Sequence, residues 1–364
     1  MSTNQLYHTC SWELRQLCPQ ERKNRLAVFA WFMAGIYASK SVQLQKVAQK
    51  IPGPAKELSV YRRLEILVAN PLIRVRRWYA PIARAWLLAM ARTTGEIRLV
   101  WDSTKVGNSY RLLIVSLAFR RRAIPIAWTW CKGRRGHSSS WVQLALLAYV
   151  RKLLPSCVPV LLVGDTEFES GEVQKQLEDW HWRYVLRQKG SNQVRLPDQD
   201  DWQDFAALVT KPGQRVWVEQ ADLTRRHAFS TNLLAYWQVG EPEPWLLATN
   251  LPTPQATLRA YSRRMWIEEM FGDMKDHGFD LESTRLRHFL RLSRLTLAVA
   301  LLYVWLISTA VRVIKQGQRH FVDRKDRVDL SIFQIGLRWI ERCLKNTVHF
   351  SISFYLPIPK GSGS

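Results

Sequence analysis

Cysteine is scarce in this chain, and the five present, at 10, 18, 131, 157 and 343, include no Cys-x2-Cys pair. A disulfide framework and a cysteine zinc site are both excluded by that count and spacing, and a reducing cytoplasm is the plain reading. The N-terminal stretch MSTNQLYHTCSWELRQLCPQERK has no apolar run of signal-peptide length, so the sequence reads as one that is not exported. Long apolar runs are nearly missing as well. The single candidate, Leu295–Val311, is somewhat short for a membrane span and has no second segment beside it, so it reads as a buried core helix and no membrane partner is expected. Acid is the other shortage: 30 Asp+Glu face 53 Lys+Arg in 364 residues, a net charge of +23. With 47% hydrophobic residues the chain has enough apolar material for a real core, which excludes a disordered basic tail. A folded chain this basic points to a polyanionic partner, nucleic acid or an acidic membrane face.

The texture of the sequence changes along its length. Residues 1–95 read as basic helices, at Arg22–Ala38, Val42–Lys50, Val60–Val68 and Ile82–Ala91, with 15 Lys+Arg against 4 acids. They are expected to form a DNA-binding domain, with the clusters Arg62–Arg63 and Arg74, Arg76, Arg77 available to phosphate. From residue 96 to 187 the order becomes three strands, helix, strand, helix, strand, which suits a mixed α/β sheet covered by helices. Residues 188–254 read as a β-rich insertion. Helical periodicity returns over 255–315, and 316–364 is expected to be a helical end that contributes to DNA-end binding or dimerisation.

Between Ser103 and Gly164 there are ten Lys+Arg and no acid, and this stretch is bracketed by Asp102 and Asp165. Both acids follow apolar strands. If those strands are neighbours, the carboxylates can be held a few ångströms apart and can chelate a hard cation such as Mg2+. Two such ions about 4 Å apart can serve phosphoryl transfer. Glu268 is the best third carboxylate. In the segment AYSRRMWIEEMFGDMKDHGF, Tyr261, Arg264, Glu268 and Lys275 fall at offsets 0, 3, 7 and 14. On a continuous helix these lie within about 60° of one another, so a phenol, a guanidinium, a carboxylate and an ammonium share one face. Glu269 points about 100° away. Arg264 and Lys275 are expected to grip phosphates, and Tyr261 to donate to phosphate or pack on a sugar.

The spacing Tyr261-x2-Arg264-x3-Glu268-x6-Lys275 resembles, without a gap, the Y-x2-R-x3-E-x6-K signature of a group of bacterial insertion-sequence transposases with a DDE active site. WDSTKVG, carrying Asp102, and LLVGDTEF, carrying Asp165, resemble that family's first two carboxylate motifs, and WLLATN resembles the strand that closes its insertion. The resemblance covers roughly residues 95–315. It implies an RNase H-like core interrupted by a β-rich insertion. It also implies a cut-and-paste DNA transposase in which Asp102, Asp165 and Glu268 hold Mg2+, or Mn2+ in its place, with two ions per site when DNA is bound. The partners implied are double-stranded inverted-repeat ends and target DNA, bound by a homodimer in the bacterial cytoplasm at the nucleoid. Further DNA contacts are expected from Lys105, Arg120, Arg121, Arg122, Arg134 and Arg135. Several relatives use a Trp on an extruded base, for which Trp237 and Trp245 lie near the expected region. One departure is that Thr166-Glu167-Phe168 follows Asp165 where relatives often carry Arg-Gly. An RNase H-fold nuclease or resolvase that cuts without joining, and a catalytically inactive DNA-binding descendant, remain open alternatives.

Overall fold

The computed structural model describes residues 2–107, 110–133, 138–225, 228–324 and 328–357. Five helices come first: α1 (Ser2–Leu17), α2 (Lys23–Ser39), α3 (Leu44–Ala48), α4 (Glu57–Ala69) and α5 (Val75–Thr94). Next are β1 (Ile97–Val106), β2 (Tyr110–Phe119), β3 (Arg122–Lys132), α6 (Ser140–Arg151), β4 (Val160–Gly164), α7 (Gly171–Asp179) and β5 (Arg183–Arg187). The insertion contributes β6 (Gln193–Arg195), β7 (Gln203–Asp204), β8 (Arg215–Leu223), β9 (Phe229–Tyr236) and β10 (Trp245–Thr249). The chain then runs through α8 (Pro254–Tyr261), α9 (Met265–Met274), α10 (Phe289–Lys315) and α11 (Ile332–Lys345).

Among the described residues, all ten strands join one sheet in the order β3-β2-β1-β4-β5-β10-β9-β8-β6-β7. β1, β4 and β5 run parallel, whereas β2 and β3 form an antiparallel flank. This is the mixed, helix-covered RNase H-like sheet expected from the sequence. The β-rich insertion does not stand apart as a second sheet, because β10 pairs antiparallel with β5 and extends the same ladder.

Burial explains the arrangement. β2 and β4 are apolar along nearly their whole length and are covered on both faces, as a central strand requires. α10 supplies a long covered surface, with every residue from Leu295 to Val311 buried. The expected core helix is therefore what forms. It is long and apolar enough to cross a membrane by composition, but 89% of its apolar window is packed inside the protein. Each fully buried Leu or Val of such a helix contributes about 1.5–3 kcal/mol. The first five helices share this core, and buried Arg294 ties them to it by donating to Val68 O (2.9 Å) near the end of α4 and to Ile73 O (3.2 Å) in the link to α5. A smaller core, including Val194, Phe205, Leu233 and Leu246, fills the insertion.

Candidate functional site

β1 and β4 are neighbours in register, with Trp101 opposite Gly164. The residue after each of these is an aspartate, so Asp102 on β1 and Asp165, just past the end of β4, leave two strands that lie about 4.8 Å apart. The opposite face of β1 is locked by Trp101, whose ring stacks on Phe168 at 3.9 Å. Gly164 is required by the crowding: a Cβ there would meet Leu186 Cδ2 at 2.9 Å and Phe168 Cδ2 at 3.1 Å. Ser103 N–H donates to Asp102 Oδ1 at 2.7 Å and fixes the carboxylate's orientation.

The third acid arrives on a broken helix. α8 is capped by Thr253, whose hydroxyl accepts from Ala256 N–H, and it ends at Tyr261. A 3-10 turn over Ser262–Arg264 separates it from α9. Each 3-10 residue turns about 120° instead of 100°, so the face predicted for a continuous helix is rotated at the break. Arg264 and Glu268 remain together. Lys275 follows the last residue of α9 and still lines the cleft, where it pairs with Glu282. Tyr261 stays against Arg264, whose guanidinium lies 5.9 Å from its ring centre, but it is 2% exposed and its ring packs edge-on against Trp245 at 5.0 Å. The expected phosphate or sugar contact by Tyr261 is corrected to a packing role for its ring. Trp245 is engaged in that contact, and Trp237 Nε1 donates to Glu241 O at 2.9 Å.

Arg264 stands at the meeting point of the three acids. Its Nη1 lies 3.5 Å from both Asp102 Oδ2 and Asp165 Oδ2, and its Nη2 lies 2.7 Å from Glu268 Oε1. Burial opposes the guanidinium's charge, but Tyr261, Asp165, Glu268 and Asp102 more than offset this and hold its pKa above the ordinary arginine value. Burial pushes the Asp102 carboxyl up to about 7; Arg264 pulls it down, while Asp165 and Glu268 push it further up. Glu268 is the accessible member, its side chain 45% exposed against 14% for Asp102.

This geometry corrects the expected cofactor. Among the described residues no group of three His, Cys, Asp or Glu is arranged to hold a metal ion. Asp102, Asp165 and Glu268 converge on a guanidinium, so the expectation of a Mg2+ or Mn2+ pair chelated by these three does not fit the arrangement found.

The acids open into a cleft of about 1030 Å3 with Arg264, Phe271 and Lys275 on one wall and Arg187, Gln188 and Lys189 on the side that leads into the insertion. Sequence reasoning missed this second wall and also missed Ser103, Arg111 and Glu167, which line the floor. A signal for Glu167 was present, since it stands two residues after Asp165 in a turn that buries Phe168. Other expected DNA contacts are not brought to the cleft. Lys105 is exposed further along β1. Arg120 and Arg121 form the β2–β3 turn, six residues along β2 from Ile114, the partner of Asp102. That separation is on the order of 20 Å. Arg122 is taken up internally by Asp273 (2.7 Å) and Glu269 (3.1 Å). Arg134 and Arg135 lie outside the described residues.

The match to a family model agrees with the layout. Residues 136–305 match the family described as "Transposase DDE domain", a stretch that includes Asp165, Arg264, Glu268 and Lys275 and begins after Asp102. No curated relative matches the chain. Among solved structures it is similar to "Cryo-EM structure of piggyBac transposase synaptic complex with hairpin DNA (SNHP)", with a TM-score of 0.41 and 12% identity over 100% of this chain and 86% of that one. With two strand-end aspartates beside a glutamate on the matched segment, and an RNase H-like sheet beneath them, the chain carries a DDE-transposase-like domain.

Proposed function

We propose that this chain is a DNA transposase of the bacterial insertion-sequence type, which cleaves at inverted-repeat ends and joins the resulting 3′ hydroxyls to target DNA. The observation that carries the reading is the convergence of Asp102, Asp165 and Glu268 in a cleft with basic side chains on both walls, on a chain whose residues 136–305 match a transposase family. In this reading DNA phosphates enter between Lys275 and Arg264 on one side and Arg187 and Lys189 on the other. A cleft carboxylate accepts the proton of the attacking water or 3′ hydroxyl, a role that suits a group whose pKa lies near neutrality. Arg264 neutralises charge on the phosphoryl oxygens as the bond is exchanged. The exposed Arg62, Arg63, Arg74, Arg76 and Arg77 of the N-terminal helices track the DNA backbone outside the cleft. The DNA complex is a homodimer holding two ends, in the bacterial cytoplasm.

The test incubates purified protein and a Glu268→Gln control with labelled inverted-repeat ends taken from the DNA flanking the gene, together with a target plasmid. Matched reactions with and without added divalent cation are run in parallel. Cleaved and joined products from the wild type alone are expected. Cleavage without joining would replace the reading with a nuclease, and specific binding with neither product would replace it with a DNA-binding descendant.

A further inference from the structure

Glu167 is a fourth carboxylate on the cleft floor, and it is fully engaged. Its Oε2 accepts from Ser103 Oγ at 2.5 Å and from Arg111 Nη2 at 2.6 Å. Its Oε1 accepts from Ser138 N–H at 3.2 Å and Ser138 Oγ at 2.6 Å. Arg111 also donates to the Ser103 hydroxyl, and Gln143 Nε2 donates to the Glu167 carbonyl at 3.0 Å. The Glu167 and Arg111 side chains are 5% and 6% exposed. Four separate pieces of chain therefore meet on one side chain: β1 through Ser103, β2 through Arg111, the approach to α6 through Ser138, and the turn after β4 that carries Asp165.

A carboxylate with both oxygens filled has no lone pair left to serve a reacting group, so a catalytic role is unsuited to it. Its partners instead sit beside the two aspartates. Ser103 is the residue whose N–H orients Asp102, and Phe168 N–H, one residue beyond Glu167, closes the turn onto Asp165 O at 3.0 Å. We propose that Glu167 is a positioning residue: with Arg111 and Ser103 it clamps β1 to the turn after β4 and sets the spacing of Asp102 and Asp165 for the reaction. Its effect on catalysis rests on the transposase reading above.

Breaking a buried ion pair by removing one partner is costly, so Glu167→Gln alone risks a folding defect. Ser103→Ala removes the arm to β1 and leaves the Arg111–Glu167 pair in place. Glu167→Gln, Ser103→Ala and the double variant are compared with wild type in single-turnover cleavage at saturating DNA, in DNA affinity, and in the titration of Asp102 followed by carbon NMR of labelled aspartate. The expected result is a rate loss of about a hundredfold for Glu167→Gln and about tenfold for Ser103→Ala, with affinity nearly unchanged and the double variant no slower than Glu167→Gln, since both act through one linkage. Loosening the clamp admits water and relieves the burial that raises the Asp102 pKa, so the Asp102 midpoint falls below that of the wild type in both variants. Rate losses that multiply, or an Asp102 midpoint unchanged in both variants, would overturn the clamp. A wild type that cleaves no DNA defeats the transposase reading instead, and the titration then decides the clamp by itself.

Discussion

The floor of the cleft and its helical wall are built differently. Asp102 sits on β1 and Asp165 just past the end of its parallel neighbour β4, half-enclosed and braced by Ser103. Arg264, Glu268 and Lys275 come from a 3-10 turn, a short helix and the residue after it, and Glu268 is largely open to solvent. Ladder register fixes the floor, whereas the wall depends on where a helix breaks. The floor sets the position of two acids, and the wall brings in the accessible third acid together with the basic side chains that meet phosphate, so substitutions of acids and of wall cations should fail in different ways.

The largest expected effect is on rate. Asp102→Asn and Asp165→Asn should each lower single-turnover cleavage about a thousandfold or more while DNA affinity stays within a few-fold. Glu268→Gln should also remove cleavage and joining with binding retained, since it alters the accessible carboxylate and no phosphate contact. Equal loss of binding and chemistry in any of the three would erase the distinction between the carboxylates and the basic side chains of the wall.

Arg264→Ala comes next and should show in stability as well as binding. In the wild type, burial raises the Asp102 pKa from 3.8 to about 7, so the folded state binds this proton more tightly than the unfolded state. The contribution of Asp102 to stability therefore falls as pH rises between those two values. Removing Arg264 deletes the interaction that pulls this pKa down and carries the loss to higher pH. The melting temperature of Arg264→Ala should accordingly drop further below wild type at pH 8 than at pH 5. An equal drop at both pH values would mean that the guanidinium is not the counterion of the cluster.

A smaller effect is expected for Lys275→Ala, which should weaken DNA binding several-fold and reduce its salt dependence by about one phosphate contact. Smallest of all, Tyr261→Phe should leave DNA affinity unchanged, because the ring packs on Trp245 inside the protein. A loss of affinity there would restore the continuous-helix face.

These contrasts follow what could be read from sequence. The limits of β2 and β10 coincide with the apolar runs Tyr110–Phe119 and Trp245–Thr249, because covered strands announce themselves by uninterrupted apolar residues. β1 runs four residues past the point where its apolar pattern stops, since pairing with β2 carries the polar stretch Ser103–Val106. α1 was missed because its buried stripe is Leu6, Cys10 and Leu14, leading to Cys18, and reads as apolar only when cysteine is counted as a small hydrophobe. β6 and β7, of three and two residues, are too short to show a period. At the site, the pairing of Arg264 with Glu268 is local and could be read from an i,i+4 spacing. The contacts of Arg264 with Asp102 and Asp165 join distant parts of the chain, and no local pattern announces them. They add to the arginine expected at phosphate a second part, as the cation of the carboxylate cluster.

On the proposed function, DNA meets this cleft and not the basic β2–β3 turn at the far end of the sheet. A photocrosslinking residue placed at Glu268 in one variant and at Arg121 in another, with the crosslinks mapped on a labelled inverted-repeat end, tests this directly. Position 268 is expected to capture nucleotides at the terminal cleavage point and position 121 is not. Crosslinks from position 121 at that point, with none from 268, would contradict it.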